Sequence, residues 1–246
     1  MRKMILLLFS ALLSLTVFAQ TPGAAEKNAG NAAWKAKNYA EAFKNFEAYL
    51  KAVDFKDNAY LYNAAAAAAK AKLYADAVKY YDMAIQAKYK IAGSYQGKAV
   101  VLRDQKKTAE MLATLQEGMK AVSAPNNQKL ENMYATYYMK EGQKFQKAGN
   151  EAKAAEAYRM ITDMNNKSFK VQGFLSLGTL YFNSGAQILQ EVNPLANTDK
   201  AKYEAGKTKA MDKFKQAKSF VVKAQGIEPA HPDVKDLLSQ LNEAMK

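Results

Sequence analysis

The stretch KLYADAVKYYDMAIQA, residues 72–87, repeats the pattern of KNYAEAFKNFEAYLKA, residues 37–52, which lies 35 positions earlier. Each carries a Tyr, an Ala three positions on, an aromatic four beyond that, and a Leu or Ile four further still. Residues three and four apart share one face of an α-helix, so each copy offers the same small and large side chains to a neighbouring helix. No catalytic arrangement requires this spacing. Stacking of like helices does.

With Ala77 as anchor, the positions twelve, nine and three before it hold Ala65, Ala68 and Tyr74, and those four and seven after hold Tyr81 and Ala84. The same offsets from Ala42 give Gly30, Ala33, Tyr39, Phe46 and Tyr49. From Met111 they give Ala99, Leu102, Thr108, Leu115 and Gly118, and from Ala154 they give Gly142, Phe145, Glu151, Tyr158 and Ile161. The anchors are 35, 34 and 43 residues apart, and the last interval holds the turn Ala124-Pro125-Asn126-Asn127. Two antiparallel helices approach closely only where a small residue on one meets a large residue on the other, which is what these offsets provide.

At these residues the sequence resembles the tetratricopeptide repeat family, built from helix-turn-helix units of about 34 residues. The resemblance covers residues 24–161 in four copies and returns in KQAKSFVVKAQGIEPAHP, residues 215–232, where Ala217 is followed by Val221, Ala224 and Pro229. The partner helix of this fifth copy is expected over residues 171–192, with Leu177, Gly178 and Tyr181 in order. Gly178 to Ala217 spans 39 residues where the other copies use 12. The extra 27 read as helix, because Tyr203, Ala210, Ala217 and Ala224 recur every seven positions with Phe214 and Val221 interleaved. Asn193-Pro194 marks the turn, Asn197 or Thr198 is expected to cap the next helix, and residues 234–245 read as a final capping helix.

The resemblance therefore implies an all-α protein, a right-handed α-solenoid of about five helical hairpins closed by a C-terminal capping helix. Four regular repeats are expected over residues 20–165, and the elongated fifth hairpin with its cap over 166–246 continues the same solenoid. Three positions depart from the family pattern: Tyr49 where a small residue is usual, Met111 at an anchor, and Glu151 in place of an aromatic.

The N-terminus reads differently. Arg2 and Lys3 precede an apolar run over residues 5–18, and Val17-Phe18-Ala19 offers small residues at the positions a signal peptidase accepts. A cleavable signal peptide is expected over residues 1–19, with a mature chain that is exported to the periplasm or secreted and has no transmembrane span. The chain lacks cysteine, so no disulfide can support it in an oxidising compartment. The formal charge of +13 falls to +11 without Arg2 and Lys3, and only Arg103 and Arg159 remain as arginines. Lysines spread along a helix (Lys200, Lys202, Lys207, Lys209, Lys213, Lys215 and Lys218) read as a solvated face. Nucleic acid is not the expected partner, because arginine is the residue suited to bidentate reading of bases and phosphates.

Catalytic and metal chemistry find little to use. The one histidine, His231, lies between Ala230 and Pro232 and reads as a surface turn residue without a partner for general-base work. One His and no Cys exclude the common zinc ligand sets. Acidic pairs such as Asp54/Asp57 and Glu151/Glu156 fall at helix ends or on exposed faces, and no glycine-rich phosphate loop is present. The expectation is a non-enzyme with neither cofactor nor metal.

Binding remains. In the family the first helices of the hairpins line the concave side, which here implies a groove for a peptide or protein segment. Its expected residues are Lys27, Asn31, Trp34 and Lys35 from the first copy, Tyr62, Asn63 and Lys70 from the second, and Gln96 and Arg103 from the third. The run Ala64 to Ala69 reads either as helix former or as a small-residue surface that lets a partner's backbone approach. Trp34 reads as core packing or as an aromatic wall. Some family members clamp two carboxylates of a partner's C-terminus. Lys27 and Asn31 beside Gly30, with Asn63 before Ala65, match three of five clamp positions, while Gly93 and Gly97 stand where the other half needs basic residues. The alternative function is an envelope-organising protein whose lysine-rich face holds an anionic polymer or a membrane-associated complex.

Overall fold

The computed structural model describes residues 21–246, and all their regular structure is helical. The expected signal peptide, residues 1–19, lies outside the described residues. The helices group into two compact units that divide between Tyr89 and Lys90. The first contains α1 (Ala24–Lys35), α2 (Tyr39–Ala52), α3 (Asn58–Lys70) and α4 (Tyr74–Gln86). The second contains α5 (Ile91–Asp104), α6 (Thr108–Ala121), α7 (Gln128–Lys147), α8 (Glu151–Thr162), α9 (Lys167–Val192), α10 (Lys200–Ile227) and α11 (Pro232–Ala244). The pairs α1/α2, α3/α4, α5/α6, α7/α8 and α9/α10 are the five hairpins, and α11 packs on both α9 and α10. The division at 89/90 falls between the second and third hairpins.

The four short hairpins turn in the same way. Lys37, Lys72, Lys106 and Gly149 have φ of 60°, 60°, 61° and 71°, and each stands five residues before its anchor. In each turn the next residue's N–H donates back to the third-last carbonyl of the first helix: Asn38 to Ala33, Leu73 to Ala68, Lys107 to Leu102 and Asn150 to Phe145, all at 2.9 Å. This left-handed closure satisfies carbonyls that the helix end would otherwise leave orphaned. Asn38 and Asn150 then cap the second helices through their side-chain oxygens.

Close crossings follow the sixteen-residue register that links small to large. A Cβ on Gly30 would stand 2.5 Å from the Phe46 ring, and one on Gly142 would clash with the Tyr158 ring. Ala65 and Ala99, the equivalent small residues, are fully buried, as are Tyr81 and Leu115 beyond them. The departures have local answers. Tyr49 fits because Gly23 yields the space, a Cβ there standing 2.7 Å from the Tyr49 ring. Glu151 replaces the missing aromatic with an ion pair to Lys213 of α10.

The elongated hairpin repeats one device along its length. Gly178 lies against Val221, Gly185 against Phe214, and Gly206 against Val192, so at each step of about seven residues one helix withdraws its side chain and the other fills the gap. Ala210 and Ala217 present their carbonyls to Gly185 and Gly178. Phe214, Ala217, Val221 and Ala224 are fully buried there with Leu177 of α9 and Val234 and Leu241 of α11. The cap of α10 is Asp199, whose carboxylate accepts from Lys202 N–H at 3.1 Å, and not the expected Asn197 or Thr198. The reason is the short 3-10 turn Asn193–Leu195, after which the Leu195 carbonyl still accepts from Thr198 and Asp199, holding both in the turn. Likewise α9 begins at Lys167, before the expected residue 171, because Asn166 caps it.

Candidate functional site

In the first unit, α1 and α3 lie side by side and meet through polar side chains. Asp57, at the N-terminus of α3, uses its two oxygens separately. Oδ1 accepts from Ala59 N–H at 3.1 Å, and Oδ2 accepts from the Tyr49 hydroxyl at 2.7 Å and from Lys27 Nζ at 3.3 Å. The Lys27 ammonium also sits over the Tyr49 and Tyr60 rings, 4.8 and 4.4 Å from their centroids. One turn on, the Asn31 amide and the Tyr60 hydroxyl are hydrogen bonded, with Nδ2 2.9 Å from the oxygen.

The charges are tuned accordingly. Partial burial alone would raise the Asp57 pKa, but hydrogen bonds from Tyr49 and Lys27 outweigh it and hold the carboxyl below its ordinary range. Burial would likewise lower Lys27, but its bonds to Tyr49 and Asp57 leave it raised. Tyr49 is raised by burial and by donating to Asp57.

The expected residues divide into two groups. Lys27 and Asn31 are brought together, but on the chain's own Asp57 and Tyr60, so Lys27 already holds a carboxylate. Asn63 is half-buried and its side chain makes no hydrogen bond among the described residues. The pairings 27 with 57 and 31 with 60 show that α1 and α3 run parallel, so one further turn carries Trp34 and Lys35 to the level of Asn63. Trp34 is 37% exposed and leans edge-on against Tyr39 at 5.2 Å. Lys35 and Lys70 are exposed and make no ion pair among the described residues. Tyr62 is half-buried with its ring edge against Tyr81 and Tyr89, and so belongs partly to packing.

The alanine run resolves similarly: Ala64, Ala65, Ala67 and Ala68 are fully buried, which leaves Ala66 and Ala69 half-buried. Most of the run therefore serves close helix packing. In the second unit Gln96 is half-buried and Arg103 is exposed on α5, its guanidinium 2.9 Å from Asp104.

Sequence reasoning missed Asp57 and Tyr60 as organisers of this face. Asp57 before Asn58 was legible as a helix cap, but nothing local pointed to a residue 30 positions away. His231 is half-buried rather than an exposed turn residue: it stands at the N-cap position of α11 without a side-chain capping bond, and its Nδ1 is enclosed with no hydrogen-bond partner among the described residues. The lysines of α10 are partly answered by neighbours. Lys202 pairs with Asp199, Lys215 with Asp212, Lys213 with Glu151, and Lys218 donates to Asn242. Among the described residues no group of acidic or imidazole side chains is placed to hold a metal ion, and no helix is long and apolar enough to cross a membrane.

Hairpins that cross at a small residue facing a large one, in one recurring register, define an α-helical repeat protein. The chain matches a crystal structure of a TPR repeats protein from Bacteroides fragilis with 41% identity and a TM-score of 0.83, over 91% of this chain and 99% of that one. The chain belongs to the tetratricopeptide repeat family. The MamA protein is 17% identical with a TM-score of 0.40, over 84% of this chain and 95% of that one. The TPR2AB domain of yeast Sti1, solved as a complex with pHSP90, is 15% identical with a TM-score of 0.39, over 91% and 96% of the two chains. At those values neither adds to the assignment. No family model matches the sequence, and no curated protein matches it.

Proposed function

We propose that this chain is an exported, non-catalytic scaffold that binds a peptide or protein segment along the first helices of its hairpins. The observation that carries the reading is Asn63, half-buried on α3 with no side-chain hydrogen bond among the described residues and standing, by the parallel run of α1 and α3, at the level of the partly exposed Trp34. An amide in that position supplies one donor and one acceptor to a passing backbone, and the indole supplies apolar area. Lys35 and Lys70 provide charge for acidic side chains. Lys27 and Asn31 keep α1 and α3 in register, because Asp57 and Tyr60 already occupy them. Gln96 and Arg103 offer similar chemistry on α5 of the second unit.

Repeat scaffolds bind through preformed surfaces, so a complex of this kind keeps most of its affinity as salt rises. Asn63→Ala and Trp34→Ala are each expected to weaken it by about tenfold. Binding that instead collapses between low and moderate salt, with both variants unaffected, would replace this reading with that of an anionic polymer held by the lysines of α10. Export is part of the proposal and has its own check. N-terminal sequencing of the protein recovered from the producing cell should begin at Gln20, and a chain that starts at Met1 inside the cell would remove it.

A further inference from the structure

Within the second unit, the C-terminal ends of α6 and α8 and the start of α7 border a half-open cavity of about 840 Å³. Two polar side chains on its wall are almost wholly buried, Asn127 at 4% exposure and Glu131 at 5%. Neither side chain makes a hydrogen bond among the described residues. Asn127 stands at the N-cap of α7 but makes no capping bond, and its Oδ1 is enclosed without a donor. Glu131 lines the cavity and its side chain makes no hydrogen bond or ion pair among the described residues.

An unpaired buried carboxylate is costly. Its place in the first turn of α7 sets it at the positive end of the helix dipole, which offsets part of that cost without supplying a counter-ion. Asp163 at the exposed rim adds a second carboxylate with no ion pair among the described residues, and Lys120, also exposed, adds one ammonium. The lining is therefore net negative in a chain whose formal charge is +13. The remainder is soft and apolar, with Met119, Met160 and Met164 beside the ring of Tyr134. The Tyr134 hydroxyl accepts from Gln116 at 2.9 Å, and burial pushes its pKa up to about 12, so it adds no charge at neutral pH.

We infer that this cavity is a binding site for a cationic head on an aliphatic stem, an ammonium or guanidinium taken by Glu131 and Asp163. The methionines would pack on the methylenes, since flexible thioethers adapt to such a stem. Two sources carry this chemistry, a lysine or arginine side chain of a bound protein segment and a free polyamine. The site is independent of the α1–α3 face.

The test follows 13C-labelled methionine methyl signals while the intact protein is titrated with Nα-acetyl-lysine methylamide, with spermidine, and with the uncharged Nα-acetyl-norleucine methylamide. Met119, Met160 and Met164 signals should move with the two ammonium compounds and not with the norleucine compound. Glu131→Gln should raise the dissociation constant by at least about tenfold. Asp163→Asn, at an exposed position, should raise it by about threefold. Tighter binding of the lysine compound assigns the site to a partner's side chain, and tighter spermidine binding assigns it to a free polyamine; both support a cation site. Equal response to the norleucine compound, unchanged affinity in both variants, or no movement of these methyls with about 10 mM of either amine would overturn it.

Discussion

Asp57 shows how much a single residue carries in this chain. One carboxylate oxygen caps α3 while the other gathers Tyr49 and Lys27, so the start of one helix is fastened to the flank of another. Because its pKa is lowered in the folded state, its contribution is complete above the unfolded value, about 4, and disappears as pH falls through the folded value. Lys27, raised when folded, contributes below its unfolded value near 10.4 and loses that contribution only in strong alkali. Asp57→Asn is therefore expected to cost about 1 kcal/mol at pH 7 by urea unfolding, a modest figure because both partners remain partly solvated. The cost should shrink markedly at pH 3. An undiminished penalty at pH 3 would show that the carboxylate charge is not what matters.

Helix pairs depend on where side chains are withheld. Gly142 accepts the ring of Tyr158, whereas Gly226, near the end of α10, has nothing within 4 Å of where a Cβ would stand. Gly142→Ala should thus destabilise by about 2 kcal/mol through overpacking, and Gly226→Ala should stabilise by about 0.5–1 kcal/mol through helix propensity. Thermal or urea unfolding of the two variants decides this, and similar effects in both would contradict the crossing register. That register was legible in the sequence, since Gly30, Ala65, Ala99 and Gly142 recur twelve residues before their anchors. The left-handed turns were not, because three of the four use Lys37, Lys72 and Lys106, which carry no signature for positive φ. The elongated hairpin was legible as helix from its seven-residue spacing, but the alternation of Gly178, Gly185 and Gly206 between its arms needed the pairing itself.

At the scale of the molecule, the repeat and its family were readable because stacking demands the same side chains again and again. The division at Tyr89 and Lys90 was not, for no glycine or proline marks it and the chain turns there on Lys88 and Lys90 with φ of 53° and 42°. The candidate face was only partly legible: Lys27 and Asn31 are bonded within the chain, by contacts too distant in sequence to infer, and Trp34 leans on Tyr39, while Asn63 and Lys35 make no side-chain hydrogen bond or ion pair among the described residues. The account rests on that face holding a protein segment. Its most direct test places a photo-crosslinking phenylalanine at Lys35 of α1, and separately at Lys209 of α10, in the cell that produces the protein. We predict protein adducts from position 35 that are lost when Asn63→Ala is added, and none from position 209. Adducts from position 209 alone, or adducts at 35 that ignore Asn63, would contradict it.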